Sequence, residues 1–526
     1  MSRIKPFVMV ILDGFGVSIE AAGNPVAQAA TPALDSFLRN FPFTTLQASG
    51  VAVGLPWGVA GNSEVGHLTM GAGRVLHHHL PRIIHAIGDG SFFENQALAA
   101  VTAHVKKNNS RLHIAGLVSS GSVHSYAEHL EALVEWAAKA GIAQVFIHVF
   151  ADGKDAPPRG GAVFLEGLAK RLISLHPGAV YASVIGRFFT MDRDEKWERI
   201  EKAYALLTEG KGDRITSVPA YLAGEYGKGI SDEFCEPAMT EMSGQAPIIR
   251  EHDAVVFLNF REDSMRELVH AFADDDFRAF PRKKVSDLLI VTMTEYEKNI
   301  AGVLPMFPTA DILHPLGKAL SDAGLRQLRI AETEKYAHVT YFFNGGDEHP
   351  FPQEDRLLVP SAAAAHVDEV PEMRAAEIAA KIIENMELYD IVIANFANAD
   401  MIGHTGNFSA GVRAVEALDA TLKTLSEAVL AVGGAMLVTA DHGNIELKRN
   451  AVSGEARTAH SINPVPLLLI GERYKRTAPR TDADLLAAKQ EVGGILTDVA
   501  PTILAILEIP KPEEMTGQNL LPGLLV

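Results

Sequence analysis

Cysteine is almost absent: Cys235 is the only one in 526 residues. One thiol excludes an internal disulfide framework and a thiolate metal cage, and it suits a reducing compartment, so the cytoplasm is the expected location. Basic residues are in deficit too, with 47 Lys and Arg against 65 Asp and Glu and a formal charge of −18. Nucleic acids and anionic membranes are held by an excess of cations, so neither is expected as a partner. An anionic ligand would need local cations to overcome that field. Long apolar runs are also missing, since none approaches the roughly 18 residues that cross a bilayer as a helix. The run from Phe7 to Leu12 meets Asp13 and is too short for a signal core, so no secretion signal is expected. No internal repeat and no low-complexity tract stands out.

What remains is an ordinary globular composition, 47% hydrophobic and 21% charged, with 44 Gly and 27 Pro. The length is about three times that of a usual single core and points to at least two domains. Short apolar, β-branched runs repeatedly stop at polar, glycine-rich clusters. Phe7 to Leu12 precedes "DGFG", Val145 to Phe150 precedes "ADGKD", Val180 to Ile185 precedes "GR", and Val255 to Leu258 precedes "NFRED". Ile391 to Ala394, Ala435 to Val438 and Val465 to Gly471 repeat the pattern near the C-terminus. Such runs read as strands buried on both faces, the habit of parallel sheets covered by helices. Segments of helical period lie between them: Tyr126 to Ala140, Asp194 to Thr208, Val370 to Met386 and Ser409 to Val432. The class is therefore α/β, and in such sheets ligands gather beyond the carboxyl ends of the strands.

Two joints are expected, one around "GRVLHHHLPRI" and one at "GVLPMFPTAD", where Pro305 and Pro308 should interrupt regular structure. If the chain crosses at both, residues 1–77 and 311–526 form one discontinuous domain. Residues 82–304 then form an inserted second domain, with linkers at 78–81 and 305–310. The triple His77 to His79 has no nearby carboxylate and reads as surface.

Metal-type side chains concentrate at the strand ends. Asp13 follows the first strand, Asp400 and His404 lie in "DMIGH", Asp441 and His442 in "ADHGN", and His460 in "TAHS". Carboxylate and imidazole suit divalent ions of intermediate hardness such as manganese, zinc or cobalt, and four such clusters could hold two ions. The spacing of Asp400 and His404 puts both on one face of a helical turn. A lone "DG" or "DHG" would read as a turn; joint placement gives these their weight. Ser63, in "GNSEVGH", is the candidate nucleophile, with metal coordination as its activator and phosphoryl transfer through a phosphoserine as the chemistry. It could equally be a helix N-cap followed by Glu64. In the middle of the chain stand His124, Lys154 and Asp155, Arg187 and Arg193, and Arg261 and Arg266. Arginine forks at several strand ends suit a small, doubly anionic substrate, whereas Arg171 and Arg199 read as structural. Lys335, in "AETEKYAHVTYFFNGG", could stabilise the leaving oxygen of a phosphate ester.

"ILDGFG", "GNSEVGH", "ETEKYAHVTYFFNGG", "MIGHTGN", "TADHGNIE" and "TAHSINPVPLL" are long and specific, and over essentially its whole length the chain resembles the cofactor-independent phosphoglycerate mutases of the alkaline phosphatase superfamily. The resemblance implies an alkaline-phosphatase-like parallel-sheet domain that binds metal, split around an inserted transferase domain. It implies two divalent ions, expected to be Mn2+, and no 2,3-bisphosphoglycerate. Asp13, Ser63, Asp441 and His442 would ligate one ion, and Asp400, His404 and His460 the other. Ser63 would take the phosphoryl group of 3-phosphoglycerate, with Lys335 beside the transferring oxygens, and return it to the other hydroxyl to give 2-phosphoglycerate. Asp155 would act as acid and base, and His124, Lys154, Arg187, Arg193 and Arg261 would bind substrate. Closure of the two domains is implied, and a monomer is expected.

Departures from the family pattern fall on the substrate side. Lys154 stands where Arg is usual, Ser264 stands where a second Arg is usual, and Ser120, Ser122 and Tyr126 replace Asp, Gly and His before and after His124. Lysine keeps the charge without the fork, and Ser264 removes a cation. They motivate an alternative: a metal-dependent phosphatase or mutase for another small phosphate ester.

Overall fold

The computed structural model describes residues 4–241, 246–298, 300–309, 311–361, 366–450 and 453–525. The chain divides into two compact units, Met1–His77 with Asp311–Val526, and His78–Ala310. The strands, in chain order, are β1 (Phe7–Leu12), β2 (Phe43–Gln47), β3 (Leu112–Leu117), β4 (Val145–Ala151), β5 (Ala179–Gly186), β6 (Asp213–Ile215), β7 (Ala238–Thr240) and β8 (Ala254–Phe257). They continue with β9 (Leu289–Thr294), β10 (Val303–Phe307), β11 (Gln327–Glu332), β12 (Glu354–Val359), β13 (Ile391–Phe396), β14 (Ala435–Thr439), β15 (Val465–Ile470) and β16 (Val492–Ile495).

The discontinuous unit holds an eight-stranded sheet in the order β12-β11-β13-β1-β14-β15-β2-β16. Its centre is parallel: Phe7 pairs with Ile391 on one side and with Ala435 on the other. β1, β13 and β14 are buried along their whole length, which is why they are apolar without alternation. β15 departs from the parallel expectation and runs antiparallel to both β14 and β2. A parallel return needs a crossover element, and the described residues between β14 and β15 contain no helix, so the chain folds straight back.

The inserted unit holds a second eight-stranded sheet, ordered β10-β9-β8-β3-β4-β5-β7-β6 and parallel except where β7 meets β5. Alternate residues of β3 and β4 feed two cores: Ile114, Ile147 and Val149 enter one, Ala115, Leu117 and Phe150 the other. The expected helical segments form as Ala127–Lys139, Trp197–Glu209, Ala375–Asn385 and Phe408–Ala431.

The expectation at Pro305 is corrected. Pro305 sits inside β10, opposite Thr292 of β9. β10 is an edge strand, where a residue without an N–H costs no ladder bond on the open side. Regular structure also enters the other expected linker, because helix His79–Asp89 starts there. His77 and His78 are exposed and His79 half-buried. Among the described residues no helix is long and apolar enough to cross a membrane.

Candidate metal centre and a cation-lined cavity

In the discontinuous unit β11, β13, β1 and β14 are consecutive neighbours, and the chain leaves all four at the same end of the sheet. Adjacency in the sheet therefore gathers Lys335, Asp400, Asp13 and the Asp441–His442 pair, which are far apart in sequence. Gly14 makes the turn after Asp13 possible: its φ is 74°, and a Cβ there would lie 2.7 Å from the Asp400 Cα. Ser63 is the first residue of helix Ser63–Ala72, whose cap is Asn62, accepting from Val65 N at 2.9 Å. With Asn62 as the cap, the Ser63 hydroxyl is free to face the centre.

That hydroxyl donates to Asp13 Oδ1 at 3.0 Å, lies 3.1 Å from His442 Nε2, and accepts from Lys335 Nζ at 2.6 Å. Lys335 Nζ also donates to Asp13 Oδ1 and to Asp400 Oδ2, each at 2.6 Å. His404 Nε2 and His460 Nε2 each lie 3.2 Å from Asp400 Oδ1. The His442 and His460 rings stack with centroids 4.0 Å apart. All the metal-type residues picked out in the sequence, together with Ser63 and Lys335, thus share one small volume.

The charges in that volume do not balance among themselves. Burial opposes ionisation of Asp13, but the Lys335 ammonium and His442 outweigh it and hold the carboxyl well below the usual range. Asp400 is likewise lowered against its burial by His404, His460 and Lys335. Burial disfavours the Lys335 ammonium, yet Asp13, Asp400 and Asp441 raise it above the ordinary lysine value. The same carboxylates, against burial, raise His442 to about 9. Three buried carboxylates therefore face one ammonium and one imidazolium, leaving a net negative site.

The donor set fits a divalent cation. His404 Nδ1 donates to Thr458 O at 2.9 Å and His460 Nδ1 to Gly61 O at 2.7 Å, which fixes both rings with Nε2 turned toward Asp400. These two Nε2 atoms lie 3.0 Å apart, close enough to share one cation with Asp400. Asp441 Oδ2 is buried and accepts no hydrogen bond. His67 Nδ1 is 3.2 Å from it but is directed at Ser63 O, 2.8 Å away. Among the described residues, donor atoms in this volume close enough to share an ion form two groups, Asp400 with His442 and His460, and Asp13 with His67 and Asp441; a third, exposed group, Glu251, His252 and Asp287, lies in the inserted unit. This grouping differs from the one implied by the resemblance: it moves His442, leaves out His404 and brings in His67, whose Nδ1 is already spent on Ser63 O. Asn395 links the layers, donating to Asp13 Oδ2 at 2.8 Å and to His67 Nε2 at 3.0 Å. Asn395 was absent from the sequence reading, although an amide inside a strand as apolar as "IVIANF" is a signal.

The inserted unit repeats the arrangement with other chemistry. β8, β3, β4 and β5 are consecutive, and Arg261, His124, Asp155 and Arg187 follow their respective ends. They line one cavity of about 390 Å³ together with Lys154, Arg193 and Ser264. Asp155 is held from two sides, by His124 Nδ1 at 2.6 Å and Arg187 Nη1 at 3.0 Å. Arg187 also donates to Asp152 at 2.7 Å, and Asp152 takes the N–H groups of Lys154 and Asp155, at 3.1 and 2.9 Å, and the Ser119 hydroxyl at 2.7 Å. Burial opposes ionisation of Asp152, but these donors lower its pKa. Burial lowers the His124 pKa against the pull of Asp155.

Two of the cavity's guanidinium groups are partly spent on Asp263, which lies 2.7 Å from Arg193 and 3.1 Å from Arg261. Lys154 is exposed and lies 3.5 Å from Glu233. Arg266 bonds Tyr296 O at 2.7 Å. Arg171 pairs with Glu131 and Arg199 with Asp192, and Arg199 lines the cavity as well. Ser264 is buried and its hydroxyl has no partner. Asp152, Ser119 and Asp263 were missed in the sequence. Asp152 could have been found, since it follows its strand as directly as Asp13 follows β1.

The profile of the Metalloenzyme superfamily matches residues 5–511. The 2,3-bisphosphoglycerate-independent phosphoglycerate mutase of Synechococcus sp. (strain JA-3-3Ab) is 48% identical over 520 residues, covering 98% of this chain and 96% of that protein. The enzyme of the same description from Moorella thermoacetica is 44% identical over 519 residues, 98% of each chain. Among solved structures, Leishmania mexicana phosphoglycerate mutase at low cobalt concentration is 31% identical, covers 99% of this chain and 98% of that one, and superposes with a TM-score of 0.56.

Proposed function

Because the chain belongs to the metalloenzyme superfamily and, within it, to the 2,3-bisphosphoglycerate-independent phosphoglycerate mutases, we propose that it interconverts 3-phosphoglycerate and 2-phosphoglycerate through a phosphoserine on Ser63. The observation that carries this reading is the contact set of Ser63 Oγ: Lys335 Nζ at 2.6 Å, Asp13 Oδ1 at 3.0 Å and His442 Nε2 at 3.1 Å. Ser63 Oγ attacks phosphorus, and the bond between phosphorus and the glycerate 3-oxygen breaks. In the second half the glycerate 2-hydroxyl attacks, the bond from phosphorus to Oγ breaks, and Ser63 is regenerated. The cycle is balanced: one proton leaves the 2-oxygen, one ends on the 3-oxygen, and no water is consumed.

Lys335 places an ammonium where negative charge collects on the transferring oxygens. Asp155, oriented by His124 and Arg187, takes the proton from one glycerate hydroxyl and gives it to the other oxygen. Arg187, Arg193 and Arg261, with Lys154, supply the cations that an acidic protein needs to hold an anion. Asp13, Asp441, His442, Asp400, His404 and His460, with Ser63, are the residues that would hold two divalent ions. Oxygen and imidazole donors suit manganese. When bound, such ions supply Lewis-acid charge that favours the serine alkoxide and offsets the phosphoryl charge. The division into a metal-binding domain and an inserted substrate domain belongs to the same proposal. A monomer belongs to the same reading, and the single buried Cys235 supports the cytoplasm.

The test is turnover of 3-phosphoglycerate coupled to enolase with manganese added. Product formation that chelation abolishes is the expected result. No product under conditions where a control mutase works would overturn the proposal. The partnerless hydroxyl of Ser264 inside the cavity favours a second reading, a phosphatase or mutase for another small phosphate ester. Phosphate release exceeding isomerisation would select it.

A further inference from the structure

Behind the candidate metal ligands, the short segment from Asn444 to Lys448 reaches four of the loops that carry them. Glu446 is 1% exposed, and its carboxylate accepts from Gly16 N at 3.0 Å, Asn444 N at 2.9 Å, Asn463 Nδ2 at 2.9 Å and the Ser461 hydroxyl. Gly16 lies three residues after Asp13, Asn444 two after His442, and Ser461 directly after His460. The approach is close enough to dictate sequence: a Cβ on Gly16 would lie 2.3 Å from the Glu446 carboxylate carbon, and one on Gly443 would lie 2.8 Å from Oε1.

Lys448, also 1% exposed, gathers acceptors where Glu446 gathers donors. Its Nζ donates to Gly403 O at 3.1 Å, to Ala459 O at 3.5 Å and to the side-chain oxygen of Asn444. Gly403 precedes His404, and Ala459 precedes His460. Asn444 in turn donates to Asp400 Oδ1 at 2.8 Å.

We infer that Glu446 and Lys448 are positioning residues that lock the ligand loops to one another, so that the donors are held at ion-binding distance before an ion arrives. This rests on the proposed role of Asp13, Asp400, His404 and His460 as ligands. The physical case is the match of charge to need. Both oxygens of Glu446 face N–H donors, Gly16 and Asn444 on one and Asn463 on the other, so an isosteric amide would set its NH2 group against an N–H on either side. The Lys448 ammonium faces only oxygens. Groups behind metal ligands commonly cost about 10–100-fold in metal affinity when removed.

The experiment is calorimetric titration of MnCl2 into the chelator-stripped, full-length protein, for the parent, Glu446→Gln, Lys448→Met and a control, Asp419→Asn. Asp419 is a buried carboxylate of the same unit that accepts from Ala33 N at 3.2 Å and Leu34 N at 2.7 Å, away from these loops. Glu446→Gln and Lys448→Met should bind Mn2+ about 10–100-fold more weakly. Their KM for 3-phosphoglycerate at saturating manganese should stay within about threefold of the parent, which a general loss of structure would not allow. Asp419→Asn should lower the melting temperature and leave Mn2+ affinity unchanged. Affinity of Glu446→Gln within twofold of the parent, or an equal loss in Asp419→Asn, would overturn the inference. Should Glu446→Gln not fold, Ser461→Ala removes one of the four donors and should weaken binding about threefold; unchanged affinity there would count against the inference equally. A parent that binds no Mn2+ would overturn the metal reading itself, whereas a parent that binds with unaffected variants would overturn only the brace.

Discussion

The two units solve the same architectural problem with opposite charge. Each sets four adjacent parallel strands side by side and collects functional side chains just past their carboxyl ends. In the discontinuous unit those side chains are carboxylates and imidazoles around one lysine; in the inserted unit they are arginines around one histidine–aspartate pair. A carboxylate cluster attracts cations and an arginine-lined cavity attracts anions. The comparison teaches that an α/β sheet supplies a place rather than a chemistry, and that a protein of charge −18 can still present a surface suited to a phosphate ester.

This contrast can be broken by substitution, because chemistry is assigned to one unit and recognition, with proton transfer, to the other. Ser63→Ala is expected to have the largest effect, a fall in kcat of about 10⁴-fold or more with the melting temperature little changed, as for a nucleophile that acts as part of a unit. Substantial remaining turnover would remove Ser63 from that role. Asp155→Asn keeps the shape but cannot take a proton, and its amide can satisfy only one of the two donors, His124 and Arg187, that face the carboxylate; it should lower kcat on the order of 10²–10⁴-fold. Steady-state assays at saturating 3-phosphoglycerate would read it. Arg261→Ala should act mainly on KM, raising it roughly 10–100-fold, the range set by a charge-assisted hydrogen bond of about 1.5–3 kcal/mol. An equal loss in kcat with KM unchanged would blur the division of labour. On stability, as distinct from rate, added manganese should act in one unit alone. At a hundred times its Kd an ion stabilises the state that binds it by about 2.7 kcal/mol. Hydrogen exchange should slow around Asp13, Asp400 and Asp441 and stay unchanged around Asp155 and Arg187.

Much of this contrast could be read in the chain. β1, β4, β5, β13 and β14 announce themselves because strands buried on both faces are mainly apolar without alternation, and the polar clusters that follow them hold the site residues. The strands that escaped are mixed in character. β2 reads "FTTLQ", β12 "EDRLLV" and β16 "VGGI", and these lie at or next to a sheet edge; β3, β9 and β11, interior and largely buried, escaped as well, two of them with a charged residue or histidine inside the strand. β10 was hidden by Pro305, which an edge strand tolerates.

The supporting residues were harder to see. Asn395, Glu446, Lys448 and Asp152 act by filling hydrogen-bonding needs that exist only once loops distant in sequence have met. Glu446 has no helical or strand periodicity to betray it, and its partner Gly16 is 430 residues away. Gly16 reads in the sequence as one more turn glycine, whereas the structure requires it because a carboxylate lies where its Cβ would be.

The central claim is that Ser63 carries the phosphoryl group between the two oxygens of glycerate. Rapid quenching of the manganese-loaded protein with 3-phosphoglycerate labelled in the phosphate, followed by peptide mapping, tests it directly. Label is expected on the peptide containing Ser63 and is expected to be absent in Ser63→Ala. Turnover without label on Ser63, or label on another residue, would contradict it.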